Sequence, residues 1–334
     1  MIIGVSGTLG AGKTEIARYL SFQGFKFIDF KREYNLIPNV ENLKLNHSES
    51  SIIADRELKP EILFESLEDL IDHVTRNWLT NFVLTDITTM AELDQLSKRP
   101  FFLHISIDAP LKIRYQRHKA HYPQLTFTEF IETSDSQAYN QEALIIEVIT
   151  KASIKIINAS TIVENLYVQL SELNLLDQTR LRPNWDAYFM RLADLAALRS
   201  NCMKRRVGCV IARDKRVIAT GYNGTPRHMT NCNEGGCPRC NNGNGSGAAL
   251  STCLCLHAEE NALLESGRDR IGDNAVLYCN TCPCLTCSVK IVQSGIKEVV
   301  YSLDYSMDDT SSKVLKAGGV ILRQYTPPKD GIVV

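Results

Sequence analysis

The first 201 residues of this 334-residue chain contain no cysteine, although the chain has eleven. All eleven lie between Cys202 and Cys287, often two or three residues apart, and their number is odd. A bunched, odd set of cysteines is typical of metal ligation rather than of a disulfide framework. The sequence therefore predicts metal sites in the second half of the chain and a reducing compartment, the cytosol or the nucleus.

The chain also lacks long apolar runs and a strong net charge. No run of 18 apolar residues occurs, so no membrane span is expected, and Met1–Val5 is too short and too little basic for a signal peptide. The net charge of -1 argues against a protein that coats nucleic acid. From Leu181 onward there are 19 Lys and Arg against 14 Asp and Glu. This mild excess suits a small anionic ligand better than a long polyanion.

Residues 1–175 alternate short apolar runs with stretches of helical spacing. Buried strands are expected at Ile2–Val5, Phe82–Thr85, Phe101–Ile107 and Ile154–Ile157, and helices at Glu61–Leu79 and Glu142–Ile149. Their β-branched and aromatic content indicates a parallel sheet covered on both faces. The pattern predicts an α/β domain over residues 1–175, followed by a polar linker at Asn174–Asn184.

Residues 184–330 predict a second α/β domain. Helices are expected at Trp185–Ser200, His257–Ser266 and Cys284–Ser294, and strands at Val207–Arg213, Arg216–Tyr222, Ala275–Cys279 and Glu298–Ser302. The first two strands form a hairpin about Asp214-Lys215, and residues 235–247 are a loop rich in glycine, asparagine and cysteine. This order of elements indicates an α/β sandwich with a mixed sheet.

Two short motifs carry the chemistry of the second half. Residues 256–259 read LHAE and residues 282–287 read CPCLTC. A catalytic zinc needs three protein ligands and an open position for water, and we expect the ligands to be His257, Cys284 and Cys287. Glu259 is near enough to act as the acid and base without ligating the metal. The combination of H-x-E with P-C-x-x-C is the signature of zinc-dependent nucleobase deaminases.

The remaining cysteines predict a second, structural zinc. Cys237 and Cys240 form a C-x-x-C pair in a loop that has no core of its own, and a tetrahedral site would order it. The expected ligands are Cys232, Cys237, Cys240 and Cys253, with Cys255 competing as the fourth. The alternative is a set of free thiols in a flexible loop.

From Trp185 to about Tyr325 the chain resembles deoxycytidylate (dCMP) deaminases. The resemblance is carried by residues 188–200 (YFMRLADLAALRS), 206–211 (RVGCVI) and 221–226 (GYNGTP), by the two zinc motifs and by the tail from Val300. It implies the α/β/α sandwich of cytidine deaminases, usually assembled as a homo-oligomer. It also implies hydrolysis of dCMP to dUMP, which serves dTMP synthesis, with activation by dCTP and inhibition by dTTP.

The same resemblance assigns the substrate contacts. Asn223 is expected to contact the sugar and Tyr305 to line the pocket. The 5′-phosphate should meet the segment before the first strand, which here contains Lys204, Arg205 and Arg206, unless this basic triplet is merely solvated. The rival family is that of tRNA adenosine deaminases, which share both zinc motifs but need a wider basic surface for RNA.

A glycine-rich segment near the start of the chain fits the phosphate-binding P-loop. Residues 7–14 read GTLGAGKT and lie between a predicted strand and a predicted helix. In that context backbone N–H groups cradle phosphates, a lysine reaches the terminal ones and a threonine holds Mg²⁺. The residues concerned are Gly7, Gly10, Gly12, Lys13 and Thr14. Asp86, at the end of an apolar run, is a candidate for the acidic residue of such sites.

The first half also resembles nucleoside-monophosphate kinases and dephospho-CoA kinase. Residues 108–117 resemble their arginine-bearing lid segment, with Arg114 and Arg117, and residues 157–160 resemble their adenine-side loop. A clear acceptor-binding motif of the D-G-x-P-R kind is missing. We therefore expect this P-loop NTPase-like domain to bind ATP or a similar nucleotide. The domain either transfers phosphate or only regulates the second domain. A further alternative is that the whole chain is a regulatory nucleotide-binding protein.

Overall fold

The computed structural model describes residues 1–32, 58–139, 144–245, 248–304, 309–327 and 331–333. The chain forms two compact units, one of Met1–Leu181 with Pro328–Val334 and the other of Arg182–Pro327. The division after Leu181 falls within the linker expected at residues 174–184. The expected second domain extended to residue 330, whereas the chain after Pro327 belongs to the first unit.

The first unit is built on a parallel sheet. Its strands are β1 (Ile2–Gly7), β2 (Lys26–Phe30), β3 (Ile62–Phe64), β4 (Phe82–Thr85), β5 (Phe102–Asp108), β6 (Ile154–Ile157) and the C-terminal β12 (Gly331–Val333). Their order across the sheet is β12-β6-β5-β1-β4-β2-β3, and every pairing is parallel. Neighbouring residues Ile2 and Ile3 of β1 belong to different core clusters, so both faces of the sheet are covered as expected.

Helices connect these strands. They are α1 (Lys13–Phe22), α2 (Leu67–Arg76), α3 (Met90–Ser97), α4 (Leu111–His121), α5 (Phe127–Tyr139), α6 (Ile145–Thr150) and α7 (Val163–Leu173). One prediction was wrong: the helix expected from Glu61 begins only at Leu67, and Ile62–Phe64 is instead strand β3. The side chain of Ser66 accepts a hydrogen bond from the Asp69 backbone N–H and starts the helix there.

The second unit has a mixed sheet with helices on both faces. Its elements are α8 (Trp185–Ala197), β7 (Gly208–Arg213), β8 (Arg216–Tyr222), α9 (Pro238–Asn241), α10 (Ala258–Ile271), β9 (Val276–Thr281), α11 (Leu285–Ser294), β10 (Glu298–Leu303), α12 (Asp309–Ala317) and β11 (Ile321–Gln324). The strand order is β11-β10-β9-β7-β8, and only the pairings of β7 are antiparallel.

Alternate residues of β7 show how the sandwich is layered. Cys209 and Ile211 pack in one cluster with residues of α10 and α11, whereas Val210 and Ala212 pack in another with residues of α8. The predicted α/β sandwich is therefore confirmed. Among the described residues, every helix is too short or too polar to span a membrane.

Candidate active site

The first helix of the site starts at a residue that the sequence predicts as a metal ligand. His257 directly precedes α10, and the chain enters it through an isolated antiparallel bridge between Gly224 and Leu256. The helix lies against β8 so closely that a Cβ atom on Gly221 would come within 2.2 Å of the Ala258 carbonyl oxygen. Helix and sheet together therefore fix the position of His257.

The two predicted cysteine ligands lie at the start of α11. Cys284 is the residue before the helix and Cys287 is in its first turn. The N-terminal end of a helix carries partial positive charge, which favours thiolates there. Hydrogen bonds involving Cys287 and His257 lower the pKa of the Cys284 thiol to about 3, although burial opposes this. Cys284 is thus suited to bind a cation as a thiolate.

The three side chains converge as a zinc site requires. The Nδ1 atom of His257 lies 3.3 Å from the Sγ atom of Cys284 and 3.3 Å from that of Cys287. All three ligand atoms lie within 4.8 Å of one another. Tetrahedral zinc with ordinary Zn–N and Zn–S bonds would separate N and S by about 3.6 Å. One imidazole nitrogen and two thiolates therefore fit zinc with a fourth position left over.

Glu259 lies in the first turn of α10, and its carboxyl interacts with His257, Cys284 and Cys287. Only 4% of the residue is exposed. Burial raises the pKa of the Glu259 carboxyl to about 7, although the neighbouring His257 lowers it. A carboxyl whose pKa is close to neutral pH can both accept and donate a proton. Its environment suits the acid and base role that the sequence predicts.

The predicted substrate residues have mixed positions. The side-chain oxygen of buried Asn223 accepts hydrogen bonds from Ser200 Oγ at 2.7 Å and from the Val207 N–H at 2.8 Å, and its Nδ2 donates to the Arg205 carbonyl at 2.8 Å. These three hydrogen bonds use most of the hydrogen-bonding capacity of the Asn223 amide to order residues 200–207. One N–H of Nδ2 is left to contact a ligand. Tyr305 lies outside the described residues.

The basic triplet lies between α8 and β7 and is exposed. Lys204, Arg205 and Arg206 are all exposed, and Lys204 Nζ donates to the backbone carbonyl of Asn244 in the glycine-rich loop. Sequence reasoning missed a supporting residue here. The side-chain oxygen of Asn280 accepts the Gly208 N–H at 3.1 Å, which fixes the start of β7, and no sequence signal distinguishes it from other strand residues.

The glycine-rich segment of the first unit forms a turn between β1 and α1. Gly10 and Gly12 have φ of 74° and 114°, the left-handed region that favours glycine. Lys13 Nζ donates to the carbonyls of Gly7 at 3.1 Å and Thr8 at 3.2 Å, and it lies 3.2 Å from Asp86 Oδ1. The structure thus brings together the predicted lysine and the predicted acid, while Thr14 is exposed at the start of α1.

Two arginines of α4 donate hydrogen bonds to backbone carbonyls of this turn. Arg117 Nη1 donates to the Ala11 carbonyl at 2.9 Å, and Arg114 Nη1 donates to the Leu9 carbonyl at 3.4 Å. Asn158 Nδ2 also donates to the Ala11 carbonyl, at 3.1 Å. The segments that resemble a kinase lid and an adenine-side loop therefore brace the glycine-rich turn.

The structure does not bring the four residues predicted for the second zinc together as one set. Cys232 groups with Cys202, Cys240 and Cys255, whereas Cys237 and Cys253 group with Cys240 and Cys255. Cys202 was missed because it is 30 residues from the next cysteine of its group in sequence, and only the fold brings the end of α8 to the loop. Cys255, expected only as a competitor, belongs to both groups.

Comparison with known proteins agrees with the geometry. Residues 183–303 match the family described as the cytidine and deoxycytidylate deaminase zinc-binding region. The chain is 48% identical to the deoxycytidylate deaminase of Schizosaccharomyces pombe, over 99% of both chains, and 51% identical to that of Saccharomyces cerevisiae, over 80% of this chain and 88% of the other. A dCMP deaminase from the cyanophage S-TIM5 matches 43% of this chain and 99% of its own, with 28% identity and a TM-score of 0.34. This chain belongs to the deoxycytidylate deaminase family.

Proposed function

We propose that the chain hydrolyses dCMP to dUMP and ammonia. The observation that carries the proposal is the convergence of His257, Cys284 and Cys287, together with the buried carboxyl of Glu259 that interacts with them. Two relatives that align with most of the chain are named deoxycytidylate deaminases, which supports dCMP as the substrate.

The residues of the site divide the chemistry among them. His257, Cys284 and Cys287 would hold zinc, which when bound is a Lewis acid that lowers the pKa of water and so supplies a nucleophile at neutral pH. Glu259 accepts a proton from the attacking water and donates it to the ring nitrogen. It then accepts the proton of the hydroxyl group formed on the ring carbon and donates it to the leaving amine. Its burial keeps the carboxyl away from solvent, so that the transferred proton stays within the site.

The substrate contacts are proposed from the neighbouring loop. Asn223 offers its remaining N–H to the sugar, and the exposed cations Lys204, Arg205 and Arg206 attract the 5′-phosphate. The resemblance to the family further supports control by dCTP and dTTP and a homo-oligomeric assembly. The eleven free cysteines of the chain suit a reducing compartment, the cytosol or the nucleus.

Steady-state kinetics with several substrates tests the proposal. We expect the purified zinc-loaded protein to release ammonia from dCMP, with deoxycytidine and CMP far poorer substrates. Inosine formation in tRNA without turnover of dCMP would assign the chain to the rival chemistry. A zinc-loaded protein inert on every substrate would overturn the enzymatic proposal and favour a regulatory protein.

The first unit is proposed to bind the phosphates of ATP or a similar nucleotide, with Mg²⁺, at residues 7–14. Support comes from the two left-handed glycines and from Lys13, which is held at the turn by Asp86. A phosphate group would compete with Asp86 for the lysine, and Asp86 would then be free to contact Mg²⁺.

Nucleotide titration of wild-type protein and of Lys13→Ala tests this site. We expect Lys13→Ala to weaken ATP binding at least tenfold, because it removes the only side-chain cation of the motif itself. The matched control is Lys26→Ala, an exposed lysine of β2, and it should bind like wild type. Equal affinity in all three proteins would overturn the proposed P-loop site.

A further inference from the structure

Six cysteines of the second unit form a single cluster that shares no residue with the trio of His257, Cys284 and Cys287. Three of them are wholly or almost wholly buried, and the other three pack against these. Their sulfur atoms form two groups of four, each with all members within 4.8 Å of one another. The first group is Cys202, Cys232, Cys240 and Cys255; the second is Cys237, Cys240, Cys253 and Cys255.

The distances between the sulfur atoms match metal coordination. Sγ atoms lie 3.9 Å apart in the pair Cys202 and Cys240, 3.9 Å in Cys237 and Cys253, and 4.0 Å in Cys240 and Cys255. A tetrahedral zinc with Zn–S bonds of about 2.3 Å places its sulfurs about 3.8 Å apart. None of the six is close enough to another to be a disulfide, and each group has the four ligands that close a structural zinc site.

A single zinc ion would bind only four of the six cysteines. If it took the first group, Cys237 and Cys253 would be left as thiols beside a filled site; if it took the second, Cys202 and Cys232 would be. Cys240 and Cys255 belong to both groups, and a thiolate sulfur has enough lone pairs to bind two metals at once. Two tetrahedra that share the edge between these two sulfurs account for all six cysteines.

We propose that the six cysteines hold two zinc ions, with Cys240 and Cys255 as bridging thiolates. Cys202 and Cys232 complete one tetrahedron, and Cys237 and Cys253 complete the other. Six thiolates and two Zn²⁺ leave a charge of -2, and the surroundings provide donors to balance it. Arg239 Nη1 lies 3.8 Å from Cys253 Sγ, and the backbone N–H groups of Met203 and Leu254 point at Cys232 and Cys237, each at 3.4 Å.

The cluster connects chain segments that lead to the catalytic residues. Cys202 follows α8, and Cys255 lies two residues before His257. Between them, Gly224 and Leu256 exchange backbone hydrogen bonds at 3.2 and 2.8 Å, and Asn201 Oδ1 accepts the Thr225 N–H at 3.2 Å. A metal cluster here would order the loop from residue 230 to residue 255, whose described residues form only short helices, and would fix the approach to α10.

The metal content of the intact protein tests the proposal without any variant. Purified under reducing conditions with zinc, the protein should contain three zinc ions per chain by elemental analysis: one catalytic and two in the cluster. Two per chain would mean a mononuclear cysteine site and would overturn the proposal, and so would one. After replacement by ¹¹³Cd, two resonances of sulfur-rich sites should be coupled to each other through the bridging sulfurs.

Variants separate the cluster from the catalytic site. His257→Ala should lose one zinc and keep the coupled pair of cadmium signals, whereas Cys240→Ser should lose both cluster ions because each loses a ligand. Cys209→Ala, a buried cysteine of β7 outside both groups, is the matched control and should keep all three. A Cys240→Ser protein with three ions would overturn the bridging role. A wild-type chain that binds three ions but fails to deaminate dCMP would refute the proposed function alone.

Discussion

Glu259 is the residue on which the proposed chemistry most depends, since its buried carboxyl interacts with all three of the proposed zinc ligands. Glu259→Gln keeps the size of the side chain but removes its ability to carry a proton. We expect the variant to retain its catalytic zinc and to lose about 10²- to 10⁴-fold in kcat, the usual contribution of general acid–base catalysis. Stopped assays with dCMP and elemental analysis measure the two quantities.

The neighbouring Glu260 provides the matched control. Its Oε1 atom pairs with Lys290 Nζ at 2.5 Å, and it is not one of the three residues that converge as metal ligands. Glu260→Gln should therefore keep kcat within about twofold, because a partly exposed ion pair of this kind contributes little. If Glu259→Gln turned over dCMP as fast as Glu260→Gln, the proton-transfer role of Glu259 would be refuted.

His104 of β5 gives the first unit a pH-dependent stability. It is buried, its Nε2 lies 2.9 Å from Ser6 Oγ, and burial lowers its pKa from 6.5 to about 4. Between these values the unfolded chain binds a proton that the folded chain does not, so stability falls as the pH drops through this window. Between pH 7 and 4.5, wild type should lose about 2–3 kcal/mol more than His104→Gln in urea unfolding.

An exposed histidine of the same unit is the control for this measurement. His121→Gln, at the end of α4, should show the same loss between pH 7 and 4.5 as wild type. If the free energy of unfolding of His104→Gln depended on pH in the same way as that of wild type and His121→Gln, the buried His104 imidazole would not be the group that couples folding to pH.

The convergence of His257, Cys284 and Cys287, with Glu259 on the same helix as His257, could be predicted from sequence because the spacing within each pair is local. His257 and Glu259 share one helix start, and Cys284 and Cys287 share another, so secondary structure alone aligns each pair. The membership of the six-cysteine cluster could not be predicted in this way. Cys202 lies after the end of α8, and the membership of Cys240 and Cys255 in both groups of four depends on how three separate segments fold together.

Among the secondary-structure elements, the close approach of α10 to β8 determines where His257 and Glu259 are placed. A Cβ atom on Gly221 would meet the Ala258 carbonyl oxygen at 2.2 Å and the Ala262 nitrogen at 2.5 Å. Gly221→Ala must therefore displace the start of the helix that carries Glu259. We expect a destabilisation of about 1–3 kcal/mol, typical of overpacking, together with a lower zinc content. Thermal unfolding and elemental analysis measure both effects.

A glycine-to-alanine substitution at a position without close neighbours is the control, because it shows the general cost of replacing glycine without the steric clash at Gly221. No atom lies within 4 Å of a Cβ atom on Gly245, and its φ is not in the left-handed region. Gly245→Ala should therefore change neither stability nor zinc content appreciably. A Gly221→Ala protein that kept wild-type stability and full zinc would show that α10 can move away from the sheet without disturbing the site.

The elements that sequence predicted correctly have local signals. The hairpin about Asp214-Lys215 is one, and both residues have the positive φ of a tight turn, 52° and 62°. Strand β3 has no such signal, because the short run Ile62–Phe64 directly precedes a helix and is equally apolar in either state. Its strand conformation comes from pairing with β2, in the register Ile28 with Ile62. That partner is more than 30 residues away in sequence.

At the scale of the whole molecule, both ends of the described chain belong to one unit. The first strand, β1, and the last, β12, are members of the same parallel sheet, and the deaminase unit lies between them in sequence. Sequence reasoning placed a polar linker at residues 174–184, and the division between the units falls after Leu181. It did not predict β12, because three residues are too few for a periodic signal and the partner strand is about 175 residues earlier.

Strand β12 covers the edge of β6, so its removal should loosen that edge of the sheet. Its residues pair with Ile154, Lys155 and Ile156, and the Gly331 N–H donates to the Ser153 carbonyl at 3.1 Å. In a chain ending at Pro327, we expect backbone amides of β6 to exchange with deuterium at least tenfold faster, because those that face β12 lose their acceptors. Amides of β2, on the opposite side of the sheet, should keep their wild-type rates. Unchanged exchange in β6 would mean that β12 does not protect this edge in solution, and equal acceleration in β2 would mean that the strand stabilises the entire sheet rather than its own neighbour.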